Sequence, residues 1–274
     1  MRIAVGQFEP HVGEKERNVA RSLELIDEAA ARGAQLLVLP ELCSSGYVFE
    51  SADELSALAE DVPDGPTCGA WLDRCAAHGL VLVAGIAERD GDAFYNAAVV
   101  LTPEGWAGTY RKLHLWDQEN RFFEPGDHGV PVFDTPAGRV AALVCYDAWF
   151  PECFRLAALA NADVVCIPTN WVPIPGQAEG QPAMATLLCQ AAAHVNSIVV
   201  AAADRIGVER GQPFIGQSLV VSHTGWPVAG PAPEDGEALL AADVDLDEAR
   251  AARAWNEFND PLADRRADVY GELR

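Results

Sequence analysis

Residues 138–152, GRVAALVCYDAWFPE, decide the fold predicted for this chain. The small apolar run after Gly138 is typical of a strand buried on both faces, as in the parallel sheets of α/β proteins. Pro151 and Glu152 favour the first turn of a helix. Cys145 is therefore predicted at a strand-to-helix corner above the carboxyl end of the sheet, where α/β folds hold their reactive groups.

A cysteine at such a corner is not by itself a nucleophile, because free cysteines are more often small buried hydrophobes. The chain has 7 cysteines in 274 residues, an odd number without regular spacing. This pattern is typical of reduced thiols rather than of a disulfide framework. The role of Cys145 therefore depends on which other residues the chain brings to the same edge of the sheet.

The charge and hydropathy of the chain restrict its partners. Acids outnumber bases by 41 to 19, for a formal charge of −22. Such a surface repels nucleic acid and anionic lipid, so neither is expected as a partner. No stretch approaches the about 18 apolar residues of a membrane span, and no signal peptide precedes the first strand, which predicts a cytoplasmic protein. The excess of acids fits either plain solubility or adaptation to a salty cytoplasm.

Strand and helix patterns alternate along the chain, with no break in composition. We expect one domain over residues 1–274, built as an α/β fold of two mixed sheets covered by helices in three or four layers. The predicted strands are 1–8, 35–40, 80–86, 94–101, 106–110, 140–144, 163–168, 197–203, 218–223 and 238–244. The predicted helices are 18–32, 52–60, 66–78, 151–160, 182–195 and 245–254.

Glu41 is the second residue of interest. It follows the apolar strand LLVL and Pro40, and it precedes the small-residue loop LCSSGY. A carboxylate at the mouth of a buried strand loses solvation, so its pKa rises toward the range in which a general base works. The alternative interpretation is a solvated loop acid or a helix cap.

Lys112 is the third residue of interest, and it is one of two lysines in the chain. It follows a predicted strand within YRKLHL, flanked by apolar residues. It could hold a positive charge near a developing oxyanion or lower the pKa of a neighbouring thiol, whereas the alternative is an ion-pairing surface lysine. We interpret His114 as structural, because no second His or Cys falls at metal-ligand spacing.

Two further groups of residues follow predicted strands. The loop over residues 116–127 carries Glu119 and Glu124, of which the first could hold Lys112 by hydrogen bonding while the second faces solvent, although the sequence does not separate them. Asn170 and Trp171 follow the strand 163–168 and are candidates for substrate contact.

The three strand-end residues occur in the order Glu41 in LPELCSSGY, Lys112 in YRKLHLW and Cys145 in LVCYDAWFPE. Together they resemble the Glu-Lys-Cys triad of the nitrilase superfamily, the carbon-nitrogen hydrolases, and the resemblance covers nearly the whole chain. It implies a four-layer α-β-β-α sandwich of two mixed sheets. It also implies a homodimer or higher homo-oligomer formed through helices near the nucleophile, with the C-terminal tail, residues 256–274, in the dimer contacts.

The resemblance implies a role for each of these residues. Cys145 is the expected nucleophile, Glu41 the general base and Lys112 the stabiliser of the oxyanion. Glu119 looks like the additional Glu that many members carry between the Lys and the Cys. The expected partner is a small-molecule amide, and the chemistry requires neither a metal nor an organic cofactor.

The residues around the nucleophile favour one branch of the family. Cys145-Tyr146-Asp147 resembles the amidase and carbamoylase branches, whereas nitrile-hydrolysing members typically have Cys-Trp-Glu. Several members that act on carboxylate-bearing substrates place an Arg shortly after the Asp, where this chain has Ala148-Trp149, so we favour a neutral or cationic carboxamide. The predicted substrate-binding residues are Tyr47, Tyr146, Trp149, Asn170 and Trp171.

Two alternatives stay open at this point. Within the family, N-carbamoyl hydrolysis and true nitrilase activity would use the same residues. Outside it, the fold could serve as a non-catalytic binding or redox-sensing protein with an oxidisable Cys145. The leading hypothesis is hydrolysis of a carboxamide to an acid and ammonia through a thioester on Cys145.

Overall fold

The computed structural model describes residues 1–177 and 180–270. Within these residues, no helix combines the length and the hydrophobicity needed to cross a membrane. Two short 3₁₀ helices cover Asp117–Arg121 and Cys145–Trp149. The α-helices are α1 (Lys15–Ala31), α2 (Ala52–Leu58), α3 (Pro66–His78), α4 (Pro151–Leu159), α5 (Met184–Asn196), α6 (Leu246–Ala251) and α7 (Ala267–Tyr270).

The strands fall into two mixed sheets and a small two-stranded ribbon. They are β1 (Arg2–Gln7), β2 (Leu36–Val38), β3 (Glu60–Asp61), β4 (Val81–Asp90), β5 (Ala93–Thr102), β6 (Gly105–Arg111), β7 (Val132–Thr135), β8 (Gly138–Ala142), β9 (Val164–Thr169), β10 (Val199–Asp204), β11 (Val208–Glu209), β12 (Gln212–Pro213), β13 (Leu219–Val221), β14 (Pro227–Ala229) and β15 (Ala238–Asp243).

Each sheet has a parallel centre and antiparallel edges. The first sheet runs β15-β1-β2-β4-β5-β6, with β3 beside β4, and its strands β1, β2 and β4 are parallel. The second runs β14-β13-β10-β9-β8-β7, and its strands β8, β9 and β10 are parallel. The parallel strands carry nearly unbroken small apolar runs, as expected of strands covered on both faces.

The two sheets face each other and are covered by helices outside. Because side chains alternate along a strand, Ile3 and Val5 of β1 enter the core between the sheets, while Ala4 packs toward α1 and α3. Helices α4 and α5 pack against the second sheet. The order of layers is therefore α-β-β-α, which confirms the four-layer alternative and excludes the three-layer one.

Helix ends follow the capping chemistry of their sequences. Pro66 and Pro151 begin α3 and α4, and Gly79 ends α3 in the left-handed conformation. Ser51 caps α2 by accepting the backbone N–H of Glu54. These local signals explain why the predicted helices lie within a few residues of the observed ones.

Cys145 lies between a strand and a helix, as predicted, but the strand predicted over 140–144 ends earlier. Strand β8 ends at Ala142, and a 3₁₀ helix over Cys145–Trp149 separates it from α4. Cys145 has a backbone φ of +45°, in the left-handed region that non-glycine residues rarely adopt. This left-handed conformation occurs where the 3₁₀ helix begins, and the apolar run in the sequence does not predict it.

Three other features of the secondary structure differ from the prediction. The helix predicted over 52–60 ends at Leu58, because Glu60 pairs beside β4 in the short strand β3. The segment predicted as a loop over 116–127 contains the 3₁₀ helix Asp117–Arg121. The strand β7 was not predicted, since only Val132 and Phe133 in it are strongly apolar.

The tail after α6 lies partly against the protein. Arg155 on α4 donates to the Pro261 carbonyl at 3.3 Å, and α7 covers Ala267–Tyr270. The predicted role of residues 256–274 in dimer contacts stays a prediction, and its last residues, 271–274, lie outside the described residues.

Candidate active site

The candidate site lies between the sheets, at the carboxyl ends of their parallel strands. From the first sheet, Glu41 follows β2 and Lys112 follows β6. From the second, Cys145 follows β8, and Asn170 follows β9. The Asn170 side chain joins the two halves, because its Nδ2 donates to the Glu41 carbonyl at 3.1 Å.

Lys112 lies at the centre of a buried charge cluster. Its Nζ donates to Glu41 Oε1 and to Glu119 Oε1, each at 2.7 Å, and the three residues are 1%, 0% and 4% exposed. Burial lowers the pKa of Lys112, but its attraction to Glu119 and Glu41 outweighs burial and leaves the pKa raised above its ordinary value. The ammonium therefore stays charged, with one carboxyl group on each side of it.

Glu41 is held as a buried carboxyl group with one oxygen still available. Asn96 Nδ2 also donates to Oε1, at 2.7 Å, whereas Oε2 has no partner among the described residues. Burial raises the pKa of Glu41 to about 7, with Lys112 lowering it and Glu119 raising it. The rise expected from the sequence is thus present, and its main cause is the loss of solvation.

The backbone of Glu41 packs directly on the neighbouring strand. A Cβ on Gly85 of β4 would overlap the Glu41 Cα and the Leu42 nitrogen, so only glycine permits this approach. Leu42, the next residue, has a φ of +48°. Strained conformations at both Leu42 and Cys145 fit a site whose side chains are fixed by the surrounding structure.

Glu119 and Glu124, which the sequence leaves unresolved, have different surroundings. Glu119 is buried, and its Oε1 accepts the Tyr47 hydroxyl at 2.6 Å in addition to Lys112. Glu124 is exposed. The 3₁₀ helix Asp117–Arg121 places Glu119 inward, so Glu119 is the one that holds Lys112.

Cys145 is 6% exposed, and its thiol lies within the electrostatic reach of both Glu41 and Lys112. Burial raises its pKa well above the ordinary value, and Glu41 adds to the rise. Lys112, the Thr169 hydroxyl and the Asn170 backbone N–H act in the opposite direction. Lys112 therefore lowers the pKa of the neighbouring thiol, which is one of the two roles predicted for it, but burial and Glu41 outweigh this effect.

Asp147 is a positioning residue that the sequence analysis missed. It is 0% exposed, and its Oδ2 accepts the Tyr110 hydroxyl at 2.7 Å and the Val144 N–H at 3.1 Å. Its Oδ1 accepts the His114 backbone N–H at 3.0 Å. One carboxylate thus fixes the Cys145 turn against the segment that carries Lys112, and only its position within CYDAW could have hinted at this.

Two other buried polar residues support the site and were also missed. Asn96 orients Glu41, as described above. Asp204, at the end of β10, accepts the Trp171 backbone N–H at 2.9 Å and the Arg205 backbone N–H at 2.8 Å. Burial raises the pKa of Asp204 well above its ordinary value. Asn96 interrupts the apolar strand β5, and Asp204 ends the apolar strand β10. A polar residue in such a strand is a signal in the sequence that could have identified both.

The predicted substrate-binding residues lie in three surroundings. Tyr47 bonds Glu119, and Asn170 bonds the Glu41 carbonyl with its Oδ1 left unpartnered among the described residues. Tyr146 packs in an aromatic cluster with Trp116, Trp149 and Phe150. Trp149 and Trp171 line a cavity of about 370 Å³. Their contact with substrate stays a prediction.

One group of side chains has the composition of a metal site. His114 Nδ1, an Asp147 oxygen and Cys153 Sγ lie within 4.8 Å of one another, although Cys153 is not at metal-ligand spacing from His114 in the sequence. However, His114 Nδ1 already pairs with Asp147 Oδ1 at 2.7 Å, and both Asp147 oxygens have protein donors. Burial raises the pKa of Cys153 to about 12, which keeps its thiol protonated and a weak ligand.

Comparison with known proteins gives a consistent set of similarities. A model of the carbon-nitrogen hydrolase family matches residues 2–254. The chain is 40% identical to a protein named nitrilase from Pyrococcus abyssi, over 98% of this chain and 99% of that protein. It is 32% identical to an N-carbamoylputrescine amidase from Solanum lycopersicum, over 93% and 89% of the two chains.

A solved structure is similar over the same length. It is a variant of the amidase from Nesterenkonia sp. AN1, in which acrylamide has added to the active-site cysteine. The TM-score is 0.80 at 27% identity, with 98% of each chain covered. The four-layer architecture derived above is therefore the fold of these proteins.

Proposed function

This chain belongs to the carbon-nitrogen hydrolase family of the nitrilase superfamily, and on that premise we propose that it hydrolyses a small carboxamide to the acid and ammonia. The observation that carries the proposal is the Lys112 ammonium, held at 2.7 Å from both Glu41 and Glu119 beside the buried Cys145. An acid-base group, a fixed cation and a thiol at one buried edge suit attack on a carbonyl carbon.

In the first step, the Cys145 sulfur attacks the substrate carbonyl carbon and its proton passes to Glu41. A pKa of about 7 suits a carboxyl group that accepts a proton at neutral pH and returns it in the next step. The pKa of Cys145 lies well above its ordinary value, so the thiol loses its proton as it attacks rather than beforehand. The product is a tetrahedral intermediate with a negatively charged oxygen.

That oxygen needs hydrogen-bond donors already in place. An ammonium has three donors, and Lys112 uses two of them on Glu41 and Glu119, which leaves the third for the oxyanion. The backbone N–H of Tyr146, directly after the nucleophile, is the proposed second donor. A donor of this kind is worth about 3 kcal/mol in a site that excludes water.

The intermediate then collapses as its C–N bond breaks. Glu41 gives its proton to the departing nitrogen, ammonia leaves, and the acyl group remains on Cys145 as a thioester. Water attacks the thioester while Glu41 takes a proton from it. When the C–S bond breaks, the acid leaves and the sulfur regains its proton from Glu41.

N-carbamoyl hydrolysis is a second candidate. It is favoured by the 32% identity to an N-carbamoylputrescine amidase over nearly the whole of both chains. A carbamoyl group presents the same carbonyl and the same NH₂ leaving group to Cys145, so the residues would keep their roles. The difference lies in what the rest of the site binds.

The experiment is ammonia release from a matched panel of carboxamides, N-carbamoyl amines and nitriles, with the purified wild-type protein and Cys145→Ala. We expect the wild type to release ammonia from carboxamides and the variant to lose at least a thousandfold in kcat. Release from nitriles alone would contradict the proposed reaction, and release from carbamoyl compounds alone would favour the second candidate. A well-folded wild type without activity on any of them would favour a non-catalytic protein.

A further inference from the structure

The cavity lined by Trp149 and Trp171 lies beside the segments that carry Cys145 and Asn170. Trp149 ends the 3₁₀ helix that Cys145 begins, and Trp171 follows Asn170, whose backbone N–H acts on the Cys145 thiol. This adjacency makes the cavity a candidate for the part of a substrate beyond its scissile group. At about 370 Å³ it is near the lower end of the range for small-molecule sites.

The only charged side chain among the described residues that line this cavity is acidic. Most of its wall is apolar or aromatic, including Ile174, Met184 and Ile215. Among the described residues that line it, Glu234 is the only charged one, and none is an Arg or a Lys. The chain has two lysines in all, and both Lys15 and Lys112 are paired with carboxylates elsewhere.

Glu234 is oriented by a series of polar contacts. Its Oε1 accepts Gln217 Nε2 at 2.7 Å, and Gln217 Oε1 in turn accepts the Thr186 hydroxyl at 3.4 Å. The loop that carries Glu234 is anchored by buried Gln7, whose Nε2 donates to the Pro233 carbonyl at 2.6 Å and the Gly236 carbonyl at 2.8 Å. The carboxylate is thus exposed at the edge of the cavity, yet its backbone is fixed from the core.

We propose that Glu234 is a specificity-determining residue that selects substrates with a cationic group at the end remote from the scissile amide. The apolar wall would receive an alkyl chain, the aromatic rings of Trp149 and Trp171 would favour a cation electrostatically, and Glu234 would supply the opposite charge at the edge of the cavity. A remote carboxylate would meet Glu234 with no base among the described lining residues to offset the repulsion. This inference rests on the proposed hydrolysis of carboxamides and names the class of substrate.

The test uses three amides that share the same alkyl chain and differ only at the far end. They are ω-aminohexanamide, which ends in an ammonium, heptanamide, which ends in a methyl group, and the monoamide of heptanedioic acid, which ends in a carboxylate. We expect kcat/KM of the wild type to fall in that order. Because Glu234 is exposed, Glu234→Gln should lower the ratio of ω-aminohexanamide to heptanamide about fivefold, mainly through KM.

Asp235→Asn is the matched control, since it removes the same charge from the adjacent exposed residue, which does not line the cavity. It should keep the wild-type ratio, and Glu234→Lys should raise the relative rate of the carboxylate-ended amide. A wild type that hydrolyses heptanamide without preferring the ammonium, or a preference kept in Glu234→Gln, overturns the inference alone. A wild type that releases ammonia from no amide of either panel overturns the proposed function instead.

Discussion

Tyr110 donates its hydroxyl to Asp147 Oδ2 at 2.7 Å, with both residues fully buried. Tyr110 lies two residues before Lys112, and Asp147 lies two residues after Cys145. The bond therefore connects the two sheets beside the reacting groups. It holds the turn that carries Cys145 against the segment that carries Lys112.

Tyr110→Phe removes this bond and keeps the ring. We expect a loss of about 1–2 kcal/mol in the free energy of unfolding, because a buried carboxylate loses one donor. We also expect kcat to fall about tenfold with little change in KM, because the nucleophile shifts against Lys112. Urea denaturation and steady-state kinetics measure the two effects. The control Tyr270→Phe, at an exposed position, should change neither, and a wild-type kcat in Tyr110→Phe would contradict the positioning role.

The pH dependence of the reaction should follow Glu41. The base must be deprotonated to accept the thiol proton, and burial raises its pKa to about 7. The value of kcat/KM should therefore rise with pH and level off above about 7, rather than near the ordinary pKa of a carboxyl group. A rate that is independent of pH between 5 and 8, a range of about three units around that pKa, would argue against Glu41 as the base.

Glu119→Gln tests the coupling between the two carboxylates. The negative charge of Glu119 raises the pKa of Glu41, so its removal should move the acidic limb of the kcat/KM profile to lower pH. The rate at the plateau should fall about tenfold, because Lys112 loses one of its two ionic partners. The matched control is Glu124→Gln, which removes the same charge from an exposed residue of the same segment. Equal profiles for the two variants would contradict the role of Glu119.

Gly85→Ala tests the close approach of β4 to the Glu41 backbone. The added methyl group would overlap Glu41 Cα, which forces Glu41, the proposed general base, to move. We expect a loss of about 1–3 kcal/mol in stability and at least a hundredfold in kcat. Gly69→Ala, in α3 with open space around it, should instead stabilise the protein by about 1 kcal/mol and keep full activity. Activity retained by Gly85→Ala would show that Glu41 tolerates the displacement.

The resemblance to the family also predicts a homodimer. Leu156 and Leu159 on α4, and Leu187 and Val195 on α5, leave an exposed apolar face beside the nucleophile turn. We expect light scattering after size-exclusion chromatography to give twice the mass of one chain or a multiple of it. A double variant, Leu156→Glu with Leu159→Glu, should give the monomer, whereas a monomeric wild type at micromolar concentration would refute the prediction.

The sequence predicted the parts of the fold that depend on local patterns. Buried parallel strands are unbroken apolar runs, so their ends, and with them Glu41 and Cys145, stand out. Lys112 stands out instead as one of two lysines in the chain, with apolar residues near it. Asp147, Asn96 and Asp204 did not stand out as site residues, because their importance lies in partners far along the chain.

The same reason explains the errors in detail. The left-handed φ of Cys145 and the resulting 3₁₀ helix depend on the bonds of Asp147, and the approach of Cys153 to His114 depends on how α4 packs. Glu119 and Glu124 are equivalent in a linear sequence, and only the 3₁₀ helix separates the buried one from the exposed one. Periodicity finds elements, whereas contacts between distant segments select the residues within them.

The central claim is that Cys145 forms a covalent thioester with the acyl part of an amide. The most direct measurement is the intact mass of the wild-type protein after acid quenching during turnover of a carboxamide, followed by peptide mapping. We predict an added mass equal to the acyl group, located on Cys145 and absent from Cys145→Ala. Ammonia release that continues in Cys145→Ala, or an acyl group located on another residue, would contradict the account.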